Sequence, residues 1–374
     1  METTRTEIVT ARDESPDGSE RDRRLMERIA DALRAKVFRP HPLFRSGHAQ
    51  TLVAFAWPRR LRLRSLREDE ARLFEVEPGV RLLLHCRWQA GDRRAHPTLL
   101  LVHGLEGSSE SVYMQSTALK AYGAGFNVLR LNLRTCGDTL HLTSRIYHSG
   151  MSQDLRAVLT ELIERDKLSA VFIGGFSLGG NLSLKLAGEL GADAPPALKG
   201  ICAVSPSVDL SASADAIGRH SNWIYQRKFI RSLKRRMRAA ARLYPERYDA
   251  GALKFVRTIR DFDSRYTAPH GGFRDAEDYY ARSSSLPLIA RIRTPTLIIH
   301  AADDPFIPFD SLRHPSVKAN PYVVLLAPAH GGHVGFVGGD NNIAGEDRFW
   351  AENRLTEFCR LIMECGTPNA ECGM

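Results

Sequence analysis

Val171-Phe-Ile-Gly-Gly-Phe-Ser-Leu-Gly-Gly-Asn181 is an apolar run that ends in Gly175-Phe176-Ser177-Leu178-Gly179 and passes into the amphipathic stretch Leu178–Leu190. The order is strand, sharp turn, helix. A serine at the apex of such a turn takes strained backbone angles, and glycines two residues before and two after remove side chains that would collide there. A helix beginning at Leu178 directs its free N–H groups and the positive end of its dipole toward whatever lies beside Ser177. The segment therefore marks Ser177 as a candidate nucleophile.

Outward from this turn the same alternation repeats. Thr98–His103, Phe126–Leu131, Ala170–Phe176, Gly200–Ser205, Thr296–His300 and Tyr322–Leu326 read as short apolar strands. Helical patterns cover about Ser109–Tyr122, Ser152–Arg165, Leu178–Leu190 and Gly345–Cys365. Strands apolar on both faces and separated by helices imply a mainly parallel central sheet flanked by helices, an α/β fold. Ahead of it, Leu73–Val76 and Arg81–Trp88 read as a strand pair turned at Pro78-Gly79.

The alternation breaks once. Roughly ninety residues separate Ser205 from Thr296, far beyond an ordinary crossover, so an inserted helical cap is expected at about 207–293. Residues 1–24 are polar and charged and read as a disordered tail, with a short helix over Leu25–Val37. The main α/β domain, with the cap inserted in it, is then expected over 25–365, with a C-terminal tail at 366–374.

With 43% hydrophobic and 25% charged residues over 374 positions, the composition is that of a globular protein with a sizeable core. Neither a signal peptide nor an apolar run of ~20 residues stands out, which points to a cytoplasmic protein. The six cysteines form none of the close pairs of zinc or redox sites and read as free thiols. No cofactor or metal is expected.

The net charge of +9 has a local origin. No Asp or Glu occurs between Ile217 and Pro245, while nine Lys and Arg residues fall there. Its apolar residues recur at steps of three and four, which makes an amphipathic helix over 223–244 with a narrow apolar stripe. A solvated face is the plain reading, and peripheral contact with an anionic membrane is the functional one. Nucleic-acid binding is not expected, since no aromatic residues are interleaved as stacking platforms.

A serine hydroxyl needs a base, and the base needs a carboxylate to orient it. Thr294-Pro-Thr-Leu-Ile-Ile-His-Ala-Ala-Asp-Asp-Pro-Phe-Ile-Pro308 is a strand followed by an acid-bearing loop. Asp304, four residues before Pro308, is favoured as the acid, and Asp303 is read as a brace of the turn. The strand Tyr322–Leu326 leads into Ala327-Pro-Ala-His-Gly-Gly-His-Val-Gly-Phe336, where His333 is favoured as the base over His330. His300, at a strand end, reads as a core histidine. An oxyanion needs N–H donors; those of Leu105, after His103-Gly104, and of Leu178 are the candidates, with His103 in a supporting role.

Together these segments resemble the YheT-like branch (AB hydrolase 4) of the α/β-hydrolase family. The likeness runs from about Phe38 to Phe358. It is carried by Pro40-His-Pro-Leu, His48-Ala-Gln-Thr51, His103-Gly-Leu-Glu-Gly-Ser108, Arg145-Ile-Tyr-His-Ser-Gly150, Gly175-Phe-Ser-Leu-Gly-Gly-Asn181, Asp261-Phe-Asp263, Ala302-Asp-Asp-Pro-Phe306 and Gly331-Gly-His-Val-Gly-Phe336. The resemblance implies a triad of Ser177, Asp304 and His333. Asn132-Leu-Arg-Thr135 departs from the branch, which tends to carry glycine where Thr135 stands. Nearby Cys136 reads as inert. The expected activity is cleavage of short or medium acyl esters, acylglycerols among them, through an acyl-enzyme. Acyl transfer to an alcohol and a non-catalytic membrane-docking role are the alternatives.

Overall fold

In the computed structural model, which describes residues 16–57, 69–339, 343 and 345–365, the apolar runs join in one eight-stranded sheet. Its strands are β1 (Glu70–Glu77), β2 (Val80–Arg87), β3 (Thr98–Val102), β4 (Asn127–Leu131), β5 (Val171–Phe176), β6 (Leu198–Val204), β7 (Thr296–Ile299) and β8 (Val323–Leu326). They lie in the order β1-β2-β4-β3-β5-β6-β7-β8. The β1/β2 and β2/β4 pairs are antiparallel, and every pair from β4 to β8 is parallel. The parallel strands place their carboxyl ends at one rim, where ligands bind in open α/β sheets.

The helices are α1 (Pro16–Arg34), α2 (Gly47–Ala56), α3 (Val112–Gly123), α4 (Ser152–Thr160), α5 (Leu178–Leu190), α6 (Leu210–Gly218), α7 (Trp223–Leu243), α8 (Ile259–Phe262), α9 (Ala268–Gly271), α10 (Ala276–Ser283), α11 (Pro315–Lys318) and α12 (Trp350–Cys365). Successive side chains of a strand point to opposite faces, and β3 shows the result. Leu99 and Leu101 pack with Leu33 of α1, Met114 of α3 and Phe358 of α12, whereas Leu100 and Val102 pack with Leu155 of α4 and Leu182 of α5. Both faces are covered, which is why the strands read as unbroken apolar runs. Helices α6–α10 fall between β6 and β7 and share a separate core that includes Leu233, Met237, Phe262 and Tyr280. They form the cap. Among the described residues no helix is long and apolar enough to cross a membrane.

Three expectations are modified. Helix α1 begins at Pro16, so residues 16–24 of the expected tail are helical; residues 1–15 and 366–374 lie outside the described residues. Helix α2 covers Gly47–Ala56, a stretch without helical periodicity in the sequence. There the buried positions are Gly47, Gln50, Thr51 and Ala54, while Leu52 and Phe55 face outward. An inward face that is small and polar has no hydrophobic periodicity to detect. Finally, Cys86, Cys136, Cys202 and Cys359 are free, but Cys365 is disulfide-bonded, against the expectation of free thiols throughout.

Candidate active site

Ser177 stands between β5 and α5 with φ 53° and ψ −116°. Such an angle is strained for any residue with a side chain, and the flanking glycines show what surrounds it. A Cβ on Gly175 would lie 2.3 Å from the Gly179 carbonyl oxygen, and one on Gly179 would lie 2.4 Å from that of Val102. The end of β3 is thus pressed against the first turn of α5. A Cβ on Gly104 would come within 3.1 Å of the Ser177 Cβ, so the loop after β3 also runs directly beside the serine.

His333 approaches from the loop after β8. Its Nε2 is 2.9 Å from Ser177 Oγ, and its Nδ1 is 2.8 Å from Asp304 Oδ2. With the proton on Nδ1, the ring donates to Asp304 and leaves Nε2 to accept from the serine hydroxyl. The Asp304 carboxylate is wholly buried, and its other oxygen accepts from the N–H groups of Phe306 and Ile307 at 2.8 and 3.1 Å. Burial pushes its pKa up, but the His333 imidazole and these donors outweigh that, leaving the carboxyl below its ordinary value. The three candidates meet at the carboxyl rim of the sheet, where an imidazole bridging hydroxyl and carboxylate can take up a proton.

The competing residues have other partners. Asp303 accepts from the Gly332 N–H at 2.9 Å and faces His330 at 3.3 Å, and the His330 side chain is half exposed. His300 is buried, with Nε2 3.2 Å from the Ile307 carbonyl. His103 is buried as well, and burial drops its pKa to about 4. Being neutral, it donates from Nδ1 to the Gly104 carbonyl at 2.8 Å and accepts the Leu133 N–H on Nε2 at 3.1 Å. That ties the loop after β3 to the end of β4. Leu105 and Leu178 both border the cavity over Ser177, and among the described residues neither N–H donates to a protein acceptor.

Several residues with a part in this geometry were not singled out by sequence reasoning. From α2, Thr51 accepts the His333 N–H at 2.9 Å and donates its hydroxyl to the Gly47 carbonyl at 2.7 Å. The Gln50 amide accepts the Val337 N–H at 2.6 Å and donates to the Val337 carbonyl at 3.0 Å. Helix α2 thus holds the histidine loop at His333 and at Val337, and the one available signal was the segment His48-Ala-Gln-Thr51. Glu106, at φ 56°, donates its N–H to Tyr147 at 2.8 Å and pairs with Arg236 of the cap at 2.7 Å. Nothing in the run of cations around it distinguished Arg236.

The cavity over Ser177 is roofed by the cap. Ile217, Phe229, Leu233 and Phe262 supply apolar walls, while Asp263, Tyr280 and Arg236 bring polar groups. Asp263 accepts from Thr267 at 2.6 Å and Tyr280 at 2.8 Å, yet burial dominates and raises its pKa to about 6. Thr135, where the resembling branch tends to carry glycine, has φ 63°, and its hydroxyl accepts from Arg236 at 3.2 Å. Cys136 is buried and its thiol pKa is pushed up to about 12 by burial, which leaves it protonated and unreactive at neutral pH.

Residues 97–340 match the family described as the alpha/beta hydrolase fold. Over 331 residues the chain is 31% identical to YheT of Escherichia coli (strain K12), a protein named as an esterase; the match covers 87% of this chain and 94% of that one. It is 32% identical over 278 residues to the monoacylglycerol lipase of Saccharomyces cerevisiae, covering 72% of this chain and 60% of the lipase. Among solved structures, the Pyrococcus furiosus esterase Pf2001 superposes with a TM-score of 0.53 at 16% identity, covering 82% of this chain and 95% of the other. At that identity the likeness is one of fold.

Proposed function

The chain belongs to the YheT-like branch of the α/β-hydrolase family, and from that premise we propose that it hydrolyses carboxylic esters of short or medium acyl chains, acylglycerols among them, through an acyl-enzyme. Esterase and lipase names among its relatives support the reaction class. The observation that carries the proposal is the continuous chain of contacts from Ser177 Oγ to His333 and on to Asp304.

His333 Nε2 takes the hydroxyl proton as Ser177 Oγ attacks the ester carbonyl, and Asp304 stabilises the imidazolium that forms. The carbonyl oxygen, now anionic, is received by the N–H groups of Leu105 and Leu178. Collapse of the tetrahedral intermediate breaks the bond to the alcohol, which leaves with the proton held by His333. Water then repeats the sequence on the acyl-serine and releases the acid. The apolar cap residues around the cavity suit an acyl chain, because covering it removes apolar surface from water.

The test is turnover of p-nitrophenyl butyrate by Ser177→Ala. Loss of activity on the order of 10⁵–10⁶-fold is expected, together with loss of labelling by a fluorophosphonate. Undiminished turnover would overturn the proposal.

A further inference from the structure

Helix α7 has two unlike faces. On the inner one, Phe229, Leu233 and Arg236 line the cavity that holds Ser177 and His333. On the outer one, Arg227, Lys228, Arg231, Arg235, Arg238 and Arg242 are exposed. At 100° per residue these six fall within a single arc of the helix surface. Arg236, on the inner side, pairs with Glu106; among the described residues none of the six outer cations has a carboxylate partner. A solvated helix ordinarily interleaves its charges with acids three or four residues away, and no acid occurs between Ile217 and Pro245.

Beside this row lies exposed apolar surface. Trp223 and Ile224, in the first turn of α7, are 50% and 56% exposed, and Leu52 and Phe55 of α2 are 51% and 53% exposed. The two helices adjoin: Lys228 Nζ sits 4.8 Å from the centre of the Phe55 ring, and Tyr225 stacks on His48 at 5.7 Å. Exposed apolar side chains of two adjoining helices thus accompany the cationic row on the outside of the pocket roof.

We infer that the outer face of α7, with Leu52 and Phe55 of α2, is a docking surface for an anionic lipid bilayer. The cations match lipid phosphate and carboxylate groups, and Trp223, Ile224, Leu52 and Phe55 match the boundary between headgroups and acyl chains. A nucleic acid would answer the charge but offers no apolar phase for Ile224 and Leu52. Docking this way sets the roof of the cavity against the source of acyl chains. The inference stands apart from ester hydrolysis, since binding alone reads it and Ser177→Ala binds as the parent does.

The experiment is co-sedimentation of the full-length protein with vesicles of phosphatidylcholine, with or without phosphatidylglycerol, across a salt series. Retention only on the anionic vesicles, falling with salt, is expected. The set Arg227→Glu, Arg231→Glu, Arg235→Glu and Arg238→Glu weakens it at least about tenfold, and the milder set with glutamine at the same four positions weakens it less. Trp223→Ser with Ile224→Ser lowers retention at the higher salt concentrations, where burial of apolar groups carries more of the affinity. Hydrolysis of a water-soluble ester stays at the parent rate in all of these variants, which also shows them folded. Failure of the parent protein to bind anionic vesicles, equal binding by the charge-reversed set, or binding of single-stranded RNA in place of vesicles would each overturn the inference.

Discussion

Arg236 Nη2 lies 2.7 Å from Glu106 Oε1, so a cap helix is tied by a nearly buried ion pair to the loop that carries the Leu105 N–H. Ser232 also donates to Glu106 at 2.8 Å, and the Arg236 guanidinium covers the Tyr147 ring at 4.6 Å. The cap therefore acts on the geometry beside Ser177 as well as on the cavity walls.

Breaking this pair from one side leaves a buried charge without its partner. Arg236→Met is expected to destabilise the protein by about 3 kcal/mol, read as a lowered denaturant midpoint, and to reduce kcat more than it raises KM. Pairing it with Glu106→Gln should recover part of the stability. An additive double variant would show that the two side chains do not act together.

The two neighbouring acids give a sharper contrast. Asp304→Asn is expected to lower kcat by roughly 10³–10⁴-fold, because an amide cannot hold His333 in the required tautomer. Asp303→Asn leaves kcat within about tenfold, since Asp303 braces the Gly332 N–H. Comparable losses in both variants would exchange or blur the roles.

Thr51 acts on His333 through its backbone. Thr51→Val deletes the acceptor for the His333 N–H while keeping the shape, and a buried unpaired donor costs about 1–3 kcal/mol. A fall in kcat with little change in KM is expected, and Thr51→Ser, which keeps the hydroxyl, should restore most of it. Failure of serine to rescue would assign the effect to packing.

Asp263 makes the stability depend on pH. Its folded pKa of about 6 lies above its ordinary value of 3.8, so the folded state binds the proton more tightly. Its contribution is fully present below pH ~4 and is lost as pH rises through ~6. Asp263→Asn should remove that decline, raising stability at pH 8 relative to pH 4 by up to about 3 kcal/mol against the parent. Thermal melting of both proteins at the two pH values measures it; parallel pH curves would contradict it.

Much of the fold was legible because its signals are local. Both-face-apolar runs mark buried parallel strands, glycines on either side of Ser177 relieve contacts that the turn itself creates, and the long gap between β6 and β7 announces the cap. Helix α2 escaped because its buried face is Gly47, Gln50, Thr51 and Ala54, and a polar inward face looks the same as a solvated one in sequence.

The sequence by itself determined the sheet, the turn at Ser177 and the small set of acids and histidines able to serve it, since each follows from periodicity or from sterics within a few residues. Only the tertiary structure decided which of them meet. Ser177 and His333 touch across 156 positions, His333 and Thr51 across 282, and Arg236 and Glu106 across 130. Contacts at such separations depend on how strands are ordered and loops aimed, and local side-chain pattern holds no record of either.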